Sequence, residues 1–228
     1  MSLIELKGNI FCTKAQTIVN TVNCVGVMGA GIALECKLRY PEMFQKYADF
    51  CEAGLFEPGK LWLYKQESPW VLNFPTKKHW RYPSKESYLR AGLEKFVQTY
   101  EEKGITSIAF PLLGADKGGI PKDISLSIMK EYLSNLPIDI EIYEYDPKVA
   151  DPFYTDIQDW ITTTDLQALS QNSGIRLKYL EVIKESMGQG EVHQISQILN
   201  IKGIGLTTLE KLLDYRNTQM DSSTTSLF

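Results

Sequence analysis

Asn20-Thr21-Val22-Asn23-Cys24-Val25-Gly26-Val27-Met28-Gly29-Ala30-Gly31-Ile32-Ala33 leaves an apolar strand through two asparagines and enters a helix through closely spaced glycines. Glycines at 26, 29 and 31 let the backbone approach a ligand and take positive φ, and the free amides of a helix start favour an anion. The run suits a phosphorylated sugar, although a plain strand-to-helix turn has the same composition. It matches neither standard nucleotide fingerprint, since no Gly-Lys-Ser/Thr follows and the Gly-x-Gly-x-x-Gly order is absent.

Outward from this run, apolar β-rich segments predict strands at Leu3 to Leu6, Ile18 to Val22, Leu61 to Tyr64, Trp70 to Phe74, Ser107 to Pro111 and Ile138 to Tyr143. Helical periods fill the gaps at Met28 to Arg39, Glu42 to Cys51, Tyr88 to Glu101 and Ile124 to Leu133, with Pro41 separating the first two. Alternating strands and helices predict an α/β domain, a mixed sheet flanked by helices on both faces. Ligands of such folds sit beyond the carboxyl ends of the strands, where two glycine loops and a lysine loop would converge. After Tyr145-Asp146-Pro147 the alternation stops, which divides the chain into residues 1–150 and a small all-α appendage, 151–228. Asp151 to Trp160 brings aromatic residues without a strand period. Helices are expected at Thr163 to Ser170, Arg176 to Met187, Val192 to Leu199 and Leu206 to Tyr215, with a hairpin at 200–206 and a frayed Ser/Thr-rich end over the final eight residues.

With 228 residues and 43% hydrophobic content, the chain can bury one good core and carry a small second unit. Cysteines at 12, 24, 36 and 51 form no Cys-x-x-Cys pair and have no nearby histidine, so reduced thiols in a cytoplasm are expected, with no metal and no cofactor. The start carries an acidic residue in its first strand, and no run approaches the roughly 18 apolar residues of a membrane span. Neither a secretion signal nor a membrane partner is expected. Ten acidic against six basic residues follow from Asp151 onward, so the net charge of −4 resides there and the first 150 residues are neutral. That balance argues against non-specific coating of nucleic acid.

The only histidines, His79 and His193, fall in different expected units, which disfavours a Ser-His-Asp or Cys-His relay. Lys77 is the attractive nucleophile or base, because an amine beside the second cation Lys78 and partly removed from water is pushed toward its neutral form. An electrostatic role for the same cation, and a plain solvated basic loop, fit the pair as well. Lys78, His79, Trp80, Arg81, Tyr82, Lys85 and Arg90 extend this segment into a basic and aromatic surface. Such a surface suits a single nucleic-acid strand, with rings stacking bases and cations meeting phosphates; an aromatic plug beneath a loop is the plainer reading.

Three segments together resemble the macro domain family, which binds ADP-ribose. Leu6-Lys7-Gly8-Asn9-Ile10 resembles its first-strand signature, Val19 to Ala33 its catalytic loop, and Phe110-Pro111-Leu112-Leu113-Gly114-Ala115-Asp116-Lys117-Gly118-Gly119 its diphosphate-binding loop. Asn73-Phe74-Pro75-Thr76-Lys77-Lys78-His79-Trp80 resembles the lysine motif of the DNA ADP-ribosyl glycohydrolase antitoxins, the DarG type, and of eukaryotic terminal ADP-ribose glycohydrolases. The likeness covers roughly the first 150 residues. Ile198 to Leu209 separately resembles the helix-hairpin-helix motif, which serves either DNA contact or protein packing.

The resemblance implies a macro fold and a lysine-dependent hydrolase that removes ADP-ribose from DNA bases, with Lys77 and Asn23 catalytic. Asn23 would hold the distal ribose hydroxyls, while Asn20 ties the turn. The implied ligand contacts are Asn9, Ile10, Asn20, Gly26, Val27, Met28, Gly29, Gly31, Thr76, Gly114, Ala115, Lys117, Gly118, Gly119 and Tyr145, and Lys78, His79, Trp80 and Arg81 would meet DNA. The implied partners are ADP-ribose, single-stranded ADP-ribosylated DNA and a cognate ADP-ribosyltransferase toxin. Two positions depart from the family pattern. Terminal glycohydrolases of the human type pair their lysine with an aspartate where this chain has Gly118, with Asp116 two residues earlier; the difference favours the DNA-directed type. Asn9 stands where an aspartate commonly accepts from the adenine amino group, and Tyr143 or Tyr145 would stack on the base. Hydrolysis of ADP-ribosyl esters on protein carboxylates, or ADP-ribose reading without catalysis, are the alternatives.

Overall fold

Residues that alternate between two faces of a strand dictate the architecture. The computed structural model describes residues 2–224, with side chains as far as Gln219. The chain divides into two compact units, Met1–Asp146 and Pro147–Phe228. In the first, β1 (Leu3–Gly8), β2 (Thr17–Val22), β3 (Trp62–Tyr64), β4 (Trp70–Pro75), β5 (Ser107–Pro111) and β6 (Asp139–Tyr145) form one sheet in the order β1-β6-β5-β2-β4-β3. All neighbours are parallel except β3, which runs antiparallel to β4 at the edge.

Successive residues of each strand point to opposite faces, and both faces are covered. Val19, Leu72, Phe74, Ile108, Phe110, Ile140 and Ile142 face α3 (Glu86–Thr99) and α4 (Lys122–Leu133), through Leu89, Leu93, Phe96, Ile128, Met129 and Leu133. Their sequence neighbours Ile18, Val71, Ala109 and Tyr143, with Val22, face α1 (Gly31–Arg39) and α2 (Pro41–Glu52), through Ala33, Cys36, Met43 and Tyr47. The three-layer α/β arrangement is the one the periodicity predicts. Pro41 stands at the first position of α2, where its missing amide costs nothing and its fixed φ suits a helix start. Helix α1 begins at Gly31 rather than at Met28: Ala30 is extended and Gly31 has φ +57°, so residues 28–30 stay in the loop.

The second unit is helical: α5 (Pro152–Thr163), α6 (Leu166–Ser173), α7 (Leu177–Gly188) and α8 (Leu206–Thr224), with a 3-10 turn at Ile195–Asn200. Its start at Pro147, ahead of the expected Asp151, follows from hydrogen bonds that Gln197 and Gln194 donate to the Pro147 and Val149 carbonyls. Three expectations need correction. Asp151 to Trp160 is helical, capped by Asp151, whose side chain accepts from the amides of Phe153 and Tyr154. The helix expected over Val192 to Leu199 is only the 3-10 turn. Helix α8 continues through Thr224, so the first half of the expected frayed end is helical, and 225–228 lie outside the described residues.

The unit also contains an internal repeat. Gly174-Ile175-Arg176-Leu177 and Gly203-Ile204-Gly205-Leu206 each join two helical segments, and the buried Leu169, Ile175, Leu180 and Ile183 recur 29 residues later as Ile198, Ile204, Leu209 and Leu212. Both opening glycines take positive φ, +69° and +91°, where a side chain would be strained. Hairpin 200–206 is therefore the second of two.

Gly92 of α3 lets the helix lie close against the sheet. A Cβ there would stand 2.2 Å from the ring of the fully buried Phe74. Gly92→Ala should lower stability by about 1–3 kcal/mol through overpacking, outweighing the helix-propensity gain of about 1 kcal/mol. Urea denaturation followed by tryptophan fluorescence measures this, and an unchanged or higher midpoint would contradict it.

A candidate ligand site at the carboxyl ends of the strands

Because β2 pairs in parallel with both β4 and β5, the segments that follow these three strands emerge side by side. They are residues 23–30, 76–85 and 112–121. Beneath them Asn20 lies opposite Asn73 in the β2–β4 register, and its amide donates to Asn73 Oδ1 at 2.9 Å. Both side chains are fully buried, and Asn20 Nδ2 also lies 3.9 Å from the buried Met28 sulfur. Asn20 and Met28 thus tie strand to loop from below, and neither side chain lines the open surface.

Asn23 organises the first loop. Its Oδ1 accepts from the amides of Val25, at 2.9 Å, and Val27, at 3.4 Å, while its Nδ2 donates to the Val27 carbonyl at 2.5 Å. The Tyr47 hydroxyl donates to the Asn23 carbonyl at 2.8 Å, and burial pushes that phenol far above its ordinary pKa. The Asn23 side chain, expected to hold ribose hydroxyls, is engaged with its own loop and fixes that loop's curvature. Gly26 turns at φ +75° against Ala48, and Gly31, at φ +57°, has open space around it. Gly29 is exposed, and Val25 and Val27 form an apolar rim.

The lysine segment is joined to both glycine loops. Thr76 is buried, and its amide donates to the Val22 carbonyl. The Cys24 amide donates to the Lys78 carbonyl and the Cys24 thiol to the Lys77 carbonyl. Burial pushes that thiol up to about 12, so it acts as a neutral donor and not as a thiolate nucleophile. Lys77 is half-buried, and its ammonium donates to the Lys117 carbonyl of the second loop at 2.5 Å. Its pKa is held below the ordinary lysine range by partial removal from water. The expected contribution of Lys78 is not the cause; that side chain is exposed.

In the second loop Gly114 and Gly119 take positive φ, as does Asp116 at +37°, around a 3-10 turn at Asp116–Gly118. Ala115 is buried and Lys117 exposed. Ser84, which sequence reading did not single out, wedges against this loop. Its amide donates to the Gly118 carbonyl at 2.9 Å, and a Cβ at Gly118 would stand 2.6 Å from its buried hydroxyl oxygen. A Cβ at Gly114 would lie 3.1 Å from Ser84 Cβ. A side chain at 118 would have to displace the Ser84 hydroxyl, which disfavours an aspartate there. Asp116 is exposed and its charge acts on Lys122, and the Lys77 ammonium meets a carbonyl, not a carboxylate.

Asn9, Ile10 and Tyr145 stand at the other end of this edge, where Gly8 lies opposite Tyr145. Asn9 is buried and its Oδ1 caps a 3-10 turn by accepting from the Phe11 amide, a use the sequence did not foretell. Tyr145 is half exposed. From β6 through β5 and β2 to β4 is three strand spacings, about 14 Å. The expected contacts therefore form a line across the sheet edge, fit for an elongated ligand, with the amine at one end.

Residues 19–129 match the family model described as Macro domain. The chain is 38% identical over 146 residues to a protein of Thermus aquaticus named DNA ADP-ribosyl glycohydrolase, covering 62% of this chain and 40% of the relative. It thus spans about two fifths of that relative's length. The solved macrodomain of Thermus aquaticus DarG is 39% identical, with a TM-score of 0.59 over 62% of this chain and 97% of that one. Thermosipho africanus DarTG in complex with ADP-ribose is 34% identical, with a TM-score of 0.61 over 69% of this chain and 44% of that one.

The wedge at Ser84 can be measured as a coupling. Gly118→Ala alone should cost about 1–3 kcal/mol, and the cost should shrink in a Ser84→Gly background where the clashing atoms are gone. Additive losses in a double-mutant denaturation cycle would show that Ser84 is not what excludes a side chain at 118.

Proposed function

The chain belongs to the macro domain family, and we propose that it is a lysine-dependent hydrolase that removes ADP-ribose from bases of single-stranded DNA. The observation that carries this reading is the partly desolvated Lys77 amine, joined to the second glycine loop by its bond to the Lys117 carbonyl. The names of the relatives, a DNA ADP-ribosyl glycohydrolase and a DarTG bound to ADP-ribose, support the substrate class. The diphosphate would lie on the amides of residues 114–119, the adenine toward Asn9 and Tyr145, and the distal ribose over the first loop beside Lys77.

In its neutral form the Lys77 amine attacks the anomeric carbon of the distal ribose. The bond from that carbon to the base nitrogen breaks, and the base leaves with a proton. Water then displaces the lysine from the sugar, releasing ADP-ribose and restoring the amine. Asn23 acts through the loop, holding the carbon within reach of the amine. The natural setting of this reaction is the reversal of a partner ADP-ribosyltransferase toxin in a cytoplasm, where the four free cysteines stay reduced.

A time course of ADP-ribose release from an ADP-ribosylated single-stranded oligonucleotide tests the reading. Wild type should release ADP-ribose, and Lys77→Ala should lose release by at least about a hundredfold while still binding free ADP-ribose. Release from modified protein but not from DNA would transfer the activity to carboxylate esters. Binding without release from either substrate would leave a reader.

The pH profile separates the two roles of the amine. A nucleophile must be deprotonated, so release should rise with pH and level off as pH passes the lysine's pKa, which burial sets below the ordinary range. An ammonium acting only through its charge predicts the opposite, a rate that falls over that interval.

A further inference from the structure

Directly after Lys77 the chain makes a tight turn that gathers rings which would otherwise alternate in direction. The Tyr82 amide donates to the His79 carbonyl at 3.2 Å, and the Arg81 amide donates to His79 Nδ1 at 3.2 Å. With Nδ1 accepting, the neutral ring carries its proton on Nε2. The His79 ring stacks with Trp80, centroids 5.5 Å apart and planes 27° apart, and also meets Tyr82 at 5.6 Å. The Arg81 guanidinium lies over the Trp80 ring, 4.8 Å from its centroid.

This cluster is assembled but not covered. Trp80 is 48% and Tyr82 66% exposed, so ring surface stays in water even though His79 stacks on Trp80 and Arg81 lies over it. Residues 76–85 hold four cations, Lys77, Lys78, Arg81 and Lys85, and no acidic residue. Arg90, which extends the basic surface in the sequence, is instead paired with Glu131 and does not belong to it. Flat exposed rings with interleaved cations match one chemistry, an unpaired base beside its phosphate; a duplex hides its base faces in the stack.

Building on the glycohydrolase reading, we propose that Trp80 and Tyr82, with Arg81 and Lys78, form a docking site for the nucleotide next to the modified one in a single strand of DNA. A base stacked on these rings is tethered by its own backbone to the base whose anomeric bond meets Lys77, three residues before Trp80. The rings thereby make the enzyme selective for modified strands over modified mononucleotides, and stacking makes that selectivity indifferent to the neighbour's identity. His79 is a positioning residue, holding both rings.

Two measurements test this. In the first, Trp80→Ala and Tyr82→Ala should raise KM for a modified oligonucleotide about tenfold or more, with kcat, release from an ADP-ribosylated mononucleotide and affinity for free ADP-ribose unchanged. An unchanged KM, or an equal loss on mononucleotide and oligonucleotide, would overturn the proposal. In the second, an unmodified single strand should quench the fluorescence that Trp80→Phe removes, and an abasic strand of equal length should bind much more weakly. Equal binding of the abasic strand would overturn stacking. If wild type releases nothing from modified DNA yet quenching depends on the bases, the glycohydrolase reading fails and the docking site stands.

Discussion

The in-register parallel pairing of β2 with β4 on one side and β5 on the other is the constraint on which the site depends. Thr17 lies opposite both Trp70 and Ile108, so the strands leave the sheet at comparable heights and release their loops together. A shift of one residue would turn Val19, Leu72 and Phe74 out of one core and Ile18 and Val71 out of the other. Two cores thus fix one register, and the buried Asn20–Asn73 bond adds a directional link within it.

Above that base, the chemistry sorts itself by solvation. Burial raises the Cys24 thiol and lowers the Lys77 amine, and both shifts favour the neutral species. A neutral thiol is a poor nucleophile and serves as a hydrogen-bond donor, whereas a neutral amine gains the lone pair that a nucleophile needs. His79, which could compete as a base, has its Nδ1 occupied by the Arg81 amide. One physical effect therefore suits Cys24 to a structural role and leaves Lys77 as the candidate nucleophile.

Strand positions and the two glycine loops were legible because short apolar runs and clustered glycines are local signals. Residues 18–22, 70–74 and 107–111 each carry the pattern within their own length. What escaped depended on partners distant in sequence or on a single cap. Ser84 is an ordinary serine until Gly118 is brought beside it. The amides of Asn9 and Asn23 read as free to meet a ligand, yet each is within reach of backbone amides two residues on, and such local bonds compete with other uses of the side chain. Helix α5 was hidden because Asp151-Pro152 is a helix-start signal that the aromatic residues after it obscured. The cause of the Lys77 shift was also misplaced, since a neighbouring cation in sequence need not be a neighbour in space.

The repeated hairpin of the helical unit gives that unit a built-in comparison with itself. Between its copies the buried positions hold to leucine and isoleucine, while Ser173 and Arg176 are replaced by Lys202 and Gly205, and the α-helix ahead of the first hairpin becomes a 3-10 turn ahead of the second. Since a single hairpin offers too little apolar surface to hold itself together, each copy is the other's scaffold. The second turn thus carries a different surface and local geometry on the same pattern of buried residues as its twin.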